Sequence, residues 1–496
     1  MFRRTVSFLV CVLVLSLAIA CKEGLRKNTE DAISKSVRKS TPSSHHPQIE
    51  TARNVVEWLA TGEFEHFRQT FDQAMREAFP DDAAVAKWWR GVVVQTGKFR
   101  KHFAATRKSK GERARVIVTS VFDYAPQDVL LFFNAKGEIA GIQVSASTNP
   151  EVRPQTPRPP FPYSAQEVLY DNPKSGTKIA GTLTVPTGNG PHPGALLISG
   201  SGPQDRDNTM FGHKSFLLIA DHLSRKGIAV LRVDDRGVGG STGDPSQETL
   251  ELIATDVEAS LAFLKSQKPI DPKRIGLIGH SVGGIVAPIV ASRSADVAFV
   301  VSLAGPAASG VEILPVQVRA LLESRGQPKD VVADIVAAHE KLAPLIAADA
   351  PESKLKPAVA ALVKAARRTL PKNASPRVEE AILKQLQKQV LGPWQRSFAK
   401  SDPAKYLSQI TVPILVMFAE KDVVVPASLN LDRARQALGK AENKSARLEK
   451  LPGLNHLFQK AETGAIDEYV LLTDTFDQGA LDLMTSWLLE TVGLAP

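Results

Sequence analysis

The chain has 496 residues, enough for two or three domains with complete hydrophobic cores. Its net charge is +9, but no zinc-finger, basic-zipper or RNA-binding signature accompanies that charge, which argues against a nucleic-acid-binding protein. Its two cysteines, Cys11 and Cys21, leave no disulfide framework beyond residue 21.

The first twenty residues predict a signal peptide rather than part of a fold. Arg3 and Arg4 precede an apolar run too short for a comfortable transmembrane span, and Ala18-Ile19-Ala20 is a small-x-small cleavage site. Cys21 follows directly, as in lipoproteins whose cysteine becomes the acylated first residue, although residue 18 is Ala rather than the usual Leu. We expect an exported bacterial envelope protein anchored to a membrane by a lipid on Cys21; a secreted or periplasmic soluble protein is the alternative.

Two segments and a small domain follow the signal peptide. Residues 21–47 are polar and predict a disordered tether. Residues 48–147 predict a small α+β domain: one run of helical spacing from Ile49 to Met75, a helix over 82–96, and strands at 114–124, 129–134 and 139–145. Six prolines between residues 148 and 162 predict a stiff, extended linker.

The small domain contains a strongly basic stretch. Residues 98–115 carry eight Lys or Arg against Glu112. Two interpretations stay open: a surface that faces a membrane or binds an anion, or a solvated loop and strand edge.

From Tyr163 onward, strands alternate with helices. This alternation predicts an α/β domain over 163–309 and 408–496, with a doubly wound, mostly parallel sheet. It stops over 310–407, where helical stretches at 311–325, 330–347, 355–369 and 378–391 predict a cap above one end of the sheet. Residues 353–400 within the cap carry eleven Lys or Arg against two Glu.

The stretch Gly279-His280-Ser281-Val282-Gly283 joins a predicted strand to a predicted helix. It matches G-x-S-x-G, in which a sharp turn exposes a serine hydroxyl at a helix N-terminus. The glycines avoid collisions with the neighbouring strand and helix. Ser281 is therefore the candidate nucleophile, and a Gly-rich turn without chemistry is the alternative.

A nucleophilic serine needs a base, and the base needs a carboxylate to orient it. In a doubly wound hydrolase the chain order is serine, acid, histidine. Asp422 follows the strand at 414–418, and His456 follows the strand at 446–450, so both stand in the required order. Glu420 is the competing acid.

The tetrahedral intermediate also needs two backbone donors. One candidate is the amide of Val282; the other lies in the Gly-rich loop 199–207, with Ser201 preferred over Gly202. The adjacent Asp234 and Asp235 permit a metal site, but we favour a structural role in which Arg236 pairs with a carboxylate.

Over residues 163–489 the chain resembles the α/β-hydrolase superfamily. The resemblance rests on the loop 199–207, Asp234 to Gly239, Gly279 to Gly284, Glu420-Lys421-Asp422 and Asn455-His456. It is similar to exported bacterial esterases related to the serine aminopeptidase and prolyl-oligopeptidase branch, which implies Ser281 as nucleophile, Asp422 as acid and His456 as base. The chain departs from that pattern in lacking an HGGG-type oxyanion motif and a β-propeller.

We therefore expect a serine hydrolase that cleaves small carboxylic esters without a metal or organic cofactor. An aminopeptidase or amidase with the same triad is the first alternative, although such an enzyme needs cap carboxylates and this cap is basic. A catalytically dead binding module of the cell envelope is the second alternative.

Overall fold

The computed structural model describes residues 46–147, 149–370 and 376–495. The predicted signal peptide, Cys21 and nearly all of the predicted tether lie outside the described residues. Within these ranges, no helix combines the length and the apolar character needed to cross a membrane.

The N-terminal domain packs four helices on an antiparallel sheet with the strand order β1-β2-β3-β4. Inward apolar side chains such as Val116, Val118 and Leu131 form its core. The predicted single run from Ile49 to Met75 is three helices, and the basic stretch is a β-hairpin rather than a loop. The elements are α1 Pro47–Thr61, α2 Phe64–Gln69, α3 Gln73–Ala78, α4 Asp82–Thr96, β1 Phe99–Lys110, β2 Arg113–Phe122, β3 Pro126–Phe133 and β4 Ile139–Ala146.

The second domain is built on an eight-stranded sheet with the order β14-β13-β12-β11-β7-β10-β6-β5. Six strands are parallel, and β6 and β5 form an antiparallel edge. Strand β11 pairs with β7 on one side and β12 on the other, so its end lies in the middle of the carboxyl edge, where ligands of such sheets bind. The strands are β5 Tyr163–Asn172, β6 Thr177–Pro186, β7 His192–Ile198, β10 Ala229–Val233, β11 Ile270–His280, β12 Phe299–Leu303, β13 Ile414–Ala419 and β14 Ala446–Leu451, with a two-stranded ribbon of β8 Thr209–Met210 and β9 His213–Lys214.

Helices cover both faces of this sheet. Each face carries its own buried apolar layer, because side chains of the central strands alternate between the two. The helices of the sheet domain are α5 Ser215–Arg225, α6 Leu250–Lys265, α7 Gly283–Ala291, α13 Pro403–Leu407, α14 Ala427–Lys440, α15 Ile466–Tyr469 and α16 Gln478–Thr491.

The predicted helical cap is inserted between β12 and β13. Its helices are α8 Gly310–Ser324, α9 Lys329–Ala347, α10 Glu352–Arg367, α11 Pro376–Val390 and α12 Pro393–Ala399. The Gln317 side chain donates to the Val424 carbonyl over 2.8 Å, which joins the cap to the loop after β13.

The Pro-rich linker is anchored to the second domain rather than simply extended. Arg153 donates to the backbone carbonyls of Phe211 and Leu472 at 2.8 and 3.0 Å. The Gln155 side chain accepts from the amides of Thr475 and Phe476 at 2.7 and 3.0 Å, and donates to the Phe476 carbonyl at 2.7 Å.

Candidate active site

Ser281 lies in a sharp turn between β11 and α7. Its φ is 55°, in the left-handed region that costs a non-glycine residue about 1–3 kcal/mol and is found mainly at functional sites. The amide of Ser281 donates to the Leu303 carbonyl over 2.8 Å, which holds the turn against β12. The neighbouring strand β12 therefore helps to hold Ser281 in this strained conformation.

Two glycines make this turn possible. A Cβ atom on Gly279 would lie 2.0 Å from the Gly283 carbonyl oxygen, and one on Gly283 would lie 2.2 Å from the Ile198 carbonyl oxygen. Both contacts are with backbone, which cannot move aside. The glycines of G-x-S-x-G are required by packing, as the sequence pattern predicts.

Asp422 contacts His456, whereas Glu420 does not. One carboxylate oxygen of Asp422 accepts from His456 Nδ1 over 2.7 Å, and the other accepts from the amides of Val424 and Val425, both at 2.7 Å. Glu420 is at the surface, where it accepts from the amide of Gly453 over 3.0 Å. The backbone bonds fix the Asp422 carboxylate toward the imidazole.

A buried polar network shapes the loop that carries His456. Asn455 accepts through its side-chain oxygen from the amides of Leu457 and Gln459, both at 3.0 Å. The Gln459 side chain contacts His213 Nε2 at 3.0 Å. Burial, followed by the nearby charge of Arg153, lowers the pKa of His213 to about 3, so the ring is neutral near pH 7.

Ser281, Asp422 and His456 are all buried, with residue exposures of 7%, 4% and 5%. No hydrogen bond joins the Ser281 hydroxyl to His456 within the described structure. Such contacts often tighten only once substrate is bound. The structure thus brings acid and histidine into direct contact, while the serine lies at the adjoining turn.

The sequence interpretation assigned no part to His280. Its Nε2 donates to the His456 carbonyl over 2.9 Å, and the two ring centroids are 4.8 Å apart. Burial, followed by repulsion from His456, lowers the pKa of His280 to about 3. His280 is a neutral support for the His456 loop, and the only signal in the sequence was its position beside Ser281.

The Gly-rich loop after β7 lies beside Ser281: a Cβ on Gly200 would be 3.2 Å from the Ser281 Cβ. Asp235 fixes this loop by accepting from the Ser199 hydroxyl at 2.6 Å and the Gln204 amide at 2.8 Å. Burial raises the pKa of the Asp235 carboxyl well above its usual value.

Glu248 supports the same loop. The backbone N–H of Gly202 contacts its carboxylate, and burial raises the pKa of Glu248 to about 7. The Gly202 amide is thereby engaged, whereas the amides of Ser201 and Val282 have no protein acceptor in the described part of the chain.

The neighbouring charged residues are paired with protein groups. Asp234 accepts from Arg206 at 2.7 Å, and Arg236 donates to both carboxylate oxygens of Asp256 at 2.8 Å, the pairing we favoured over a metal site. Among the described residues, no cluster of His, Cys, Asp or Glu has the geometry of a metal site.

The cap contains a cavity of about 70 Å³. Its wall is mainly aliphatic and includes Leu342 and Leu386, with Gln317 among its polar members. The bond from Gln317 to Val424 places this wall beside the loop of Asp422.

Ion pairs with acids from the first half of the cap engage three cations of its basic half. Arg368 pairs with Asp330 and Asp334, and Arg396 and Lys400 pair with Asp349. The cap's composition alone therefore does not favour anionic substrates.

Comparison with known families matches both domains. The profile of the family described as alpha/beta hydrolase fold matches residues 196–462. The profile of a protein of unknown function (DUF3887) matches residues 52–142.

Among curated relatives, Esterase EstD of Thermotoga maritima is 26% identical over 407 residues, which are 81% of this chain and 86% of that esterase. The uncharacterized protein Rv2307c of Mycobacterium tuberculosis is 32% identical over 127 residues, 26% of this chain and 41% of that protein. Among solved structures, the Pyrococcus furiosus esterase PF2001 superposes with a TM-score of 0.41 at 15% identity, covering 67% of this chain and 91% of that one.

Proposed function

Since this chain belongs to the α/β-hydrolase fold family, we propose that it cleaves carboxylic esters through an acyl-enzyme on Ser281. The family and the relative EstD support a hydrolase of the esterase or peptidase type. The observation that carries the finer proposal is the 2.7 Å bond between Asp422 and His456, beside a serine held at positive φ.

In the proposed reaction, Nε2 of His456 accepts the Ser281 proton while Oγ attacks the ester carbonyl. Asp422 accepts from Nδ1, which selects the required tautomer and stabilises the imidazolium. The imidazolium then protonates the leaving alcohol, which departs and leaves the acyl group on Ser281. His456 next takes a proton from water while the water oxygen attacks the acyl carbon. As the bond from that carbon to Ser281 Oγ breaks, the imidazolium returns the proton to Oγ, which releases the carboxylic acid and restores the serine hydroxyl.

The oxyanion of each tetrahedral intermediate would accept from the amides of Val282 and Ser201. Ser201 is preferred to Gly202 because the Gly202 amide contacts Glu248. The Val282 amide stands at the N-terminus of α7, where the helix dipole also stabilises the negative charge of the oxyanion. Each such donor contributes about 2.7–4 kcal/mol to transition-state stabilisation in comparable sites.

The cap cavity favours an ester with an apolar acyl or alcohol group. Its aliphatic wall would gain roughly 0.8 kcal/mol for each methylene that leaves water. The cavity is part of the cap and adjoins the Asp422 loop through Gln317, so a substrate chain bound there would approach the acid side of the site.

The direct test is labelling with a fluorophosphonate, which reacts with activated serines. We expect labelling of the wild type and of Ser292→Ala, a serine at the far end of α7, and none of Ser281→Ala. Equal labelling of Ser281→Ala would remove Ser281 as the nucleophile, and an unlabelled wild type would favour the binding module.

Substrate class needs a second measurement. Turnover of p-nitrophenyl butyrate should exceed that of leucine p-nitroanilide by at least a hundredfold in kcat/KM. The reverse order would establish the aminopeptidase alternative.

We further propose that Cys21 is acylated and anchors the protein to a membrane of the bacterial envelope. The support is the position of Cys21 directly after the small-x-small site. Metabolic labelling with a palmitate analogue should mark the wild type and not Cys21→Ser, and an unlabelled wild type found in the soluble fraction would indicate secretion.

A further inference from the structure

The outward face of the N-terminal sheet carries four cations at one end. Lys108 is opposite Arg115, and Lys110 is opposite Arg113, in the antiparallel register of β1 and β2. Residues two apart on a strand share a face, and so do opposite residues, so all four side chains lie together. We call this set, with Phe132, the basic face.

The four cations outnumber the acid nearest to them in the sequence, Glu112 in the turn between the two strands. Like charges directly opposite each other destabilise a sheet, yet two such pairs occur in succession here. In the described structure none of the four forms an ion pair, whereas Arg100, on the same strand, pairs with Asp123. The domain therefore keeps a concentrated positive surface exposed at some cost to its own stability.

An aromatic side chain lies among these cations. Phe132 of β3 is opposite Arg115 and remains 37% exposed, although it is a large hydrophobic residue. Next to it on the same face, Ile117 and Leu130 are half-buried. Cations around an exposed aromatic ring match a lipid interface, where the ring enters the headgroup region and the cations meet phosphates.

The first helix begins near the end of the sheet that carries the basic face. Arg107, next to Lys108, donates to the Gln48 side chain over 2.7 Å, so the first turn of α1 lies near this end of the sheet. Twenty-four residues separate Cys21 from His46. At the opposite end of the sheet, Pro126 approaches the second domain, where a Cβ on Gly212 would lie 3.1 Å from it.

We propose that the basic face docks on the acidic phospholipid surface of a membrane. This assigns a binding role to the N-terminal domain and is independent of the reaction at Ser281. Docking would orient a chain that a lipid on Cys21 would otherwise only tether.

The test is co-sedimentation of a chain starting at Lys22, which retains every described residue and has no lipid. We expect binding to vesicles with one third phosphatidylglycerol and not to pure phosphatidylcholine, weakening as salt screens the charges. The combined variant Lys108→Gln, Lys110→Gln and Arg113→Gln should lose about a hundredfold in partitioning, since each cation near such a surface contributes roughly fivefold.

A matched variant removes the same charge elsewhere: Lys226→Gln, Lys273→Gln and Lys440→Gln, all on the surface of the second domain. This variant should change vesicle partitioning less than twofold. Equal losses in both triple variants would show that binding depends on net charge alone, and would overturn the proposal. Phe132→Ser should weaken vesicle binding several-fold. The absence of vesicle binding would overturn the proposal. So would binding to a short DNA duplex that is tighter than binding to vesicles and is unchanged by Phe132→Ser.

Ester turnover provides an independent readout. The combined variant of Lys108, Lys110 and Arg113 should hydrolyse a soluble ester at the wild-type rate, since the basic face belongs to the N-terminal domain and Ser281 to the second. Loss of docking with turnover intact separates this proposal from the one on Ser281.

Discussion

The Nε2–H of His280 donates to the backbone carbonyl of His456 over 2.9 Å, which joins the residue before the proposed nucleophile to its proposed base. His280→Leu removes this donor, and we expect kcat to fall about tenfold with KM within twofold, because a bond of about 1–1.5 kcal/mol orients the base without touching substrate. Steady-state kinetics on a soluble ester measures the split. His280→Gln keeps an N–H and should recover part of the loss, whereas an unchanged kcat in His280→Leu would exclude the positioning role.

Acid should destabilise the fold through its buried histidines. His213 has a pKa of about 3, so between pH 6.5 and 3 the unfolded chain binds a proton that the folded chain does not, and stability falls as pH falls. At pH 5 this costs about 2 kcal/mol of unfolding free energy. Urea unfolding at pH 7 and pH 5 measures how much unfolding free energy each protein loses on acidification. The loss in His213→Gln should be smaller than the wild-type loss by that amount, and the loss in the exposed His66→Gln should equal that of the wild type.

Glu248 should have the opposite effect on stability. Its pKa of about 7 exceeds that of an unfolded glutamate, so the folded chain holds this proton more tightly. The resulting contribution to the unfolding free energy, about 3 kcal/mol, is complete below pH 4.5 and is lost as pH rises through 7. In Glu248→Gln the unfolding free energy should lack this decline between pH 4.5 and 8. The exposed Glu442→Gln serves as the control, and a wild-type decline preserved in Glu248→Gln would assign it to another group.

Two nearby carboxylates should differ sharply in their effect on catalysis. Asp422→Asn should lower kcat about a thousandfold or more, because an amide favours the wrong tautomer of His456. Glu420→Gln, which alters a surface contact with Gly453, should stay within twofold. The pair is compared by kcat on one ester, and a larger loss in Glu420→Gln would reverse the assignment of the acid.

Filling the cap cavity should change chain-length preference. Leu342→Phe adds bulk to the cavity wall, so kcat/KM for p-nitrophenyl octanoate should fall more than tenfold while the acetate ester changes less than twofold. Leu355→Phe alters a buried cap residue outside that wall and should leave the ratio of the two substrates unchanged. Equal losses on both esters would show that the cavity does not receive the substrate chain.

Much of the second domain could be predicted because its strands are short apolar runs, buried on both faces. The candidate triad could be ordered along the chain because Asp422 and His456 each follow such a run. Strand β1 could not be predicted in the same way. Its outward positions Lys108 and Lys110 are charged, and its inward positions are only half-buried, so the alternation of apolar and polar residues is weak.

The remaining features depend on contacts between distant segments. The bond from His280 to His456 requires the loop after β14 to fold across the end of β11, which no local pattern encodes. The basic composition of the cap argued against an aminopeptidase, but several of its cations meet acids, as Arg368 meets Asp330 on a neighbouring helix. Charge counted along a sequence does not reveal which charges neutralise one another in space.

The bonds of Arg153 and Gln155 bear on how the whole molecule moves. Two domains joined by a linker commonly move relative to each other, but here two side chains fasten the linker to five backbone groups of the second domain. Ala125 and Pro126 of the first domain also lie beside Gly212 of the second. We therefore expect the two sheets to tumble together and proteases to cut the linker slowly. A membrane that held the first domain would then set the height and the tilt at which Ser281 faces its surroundings.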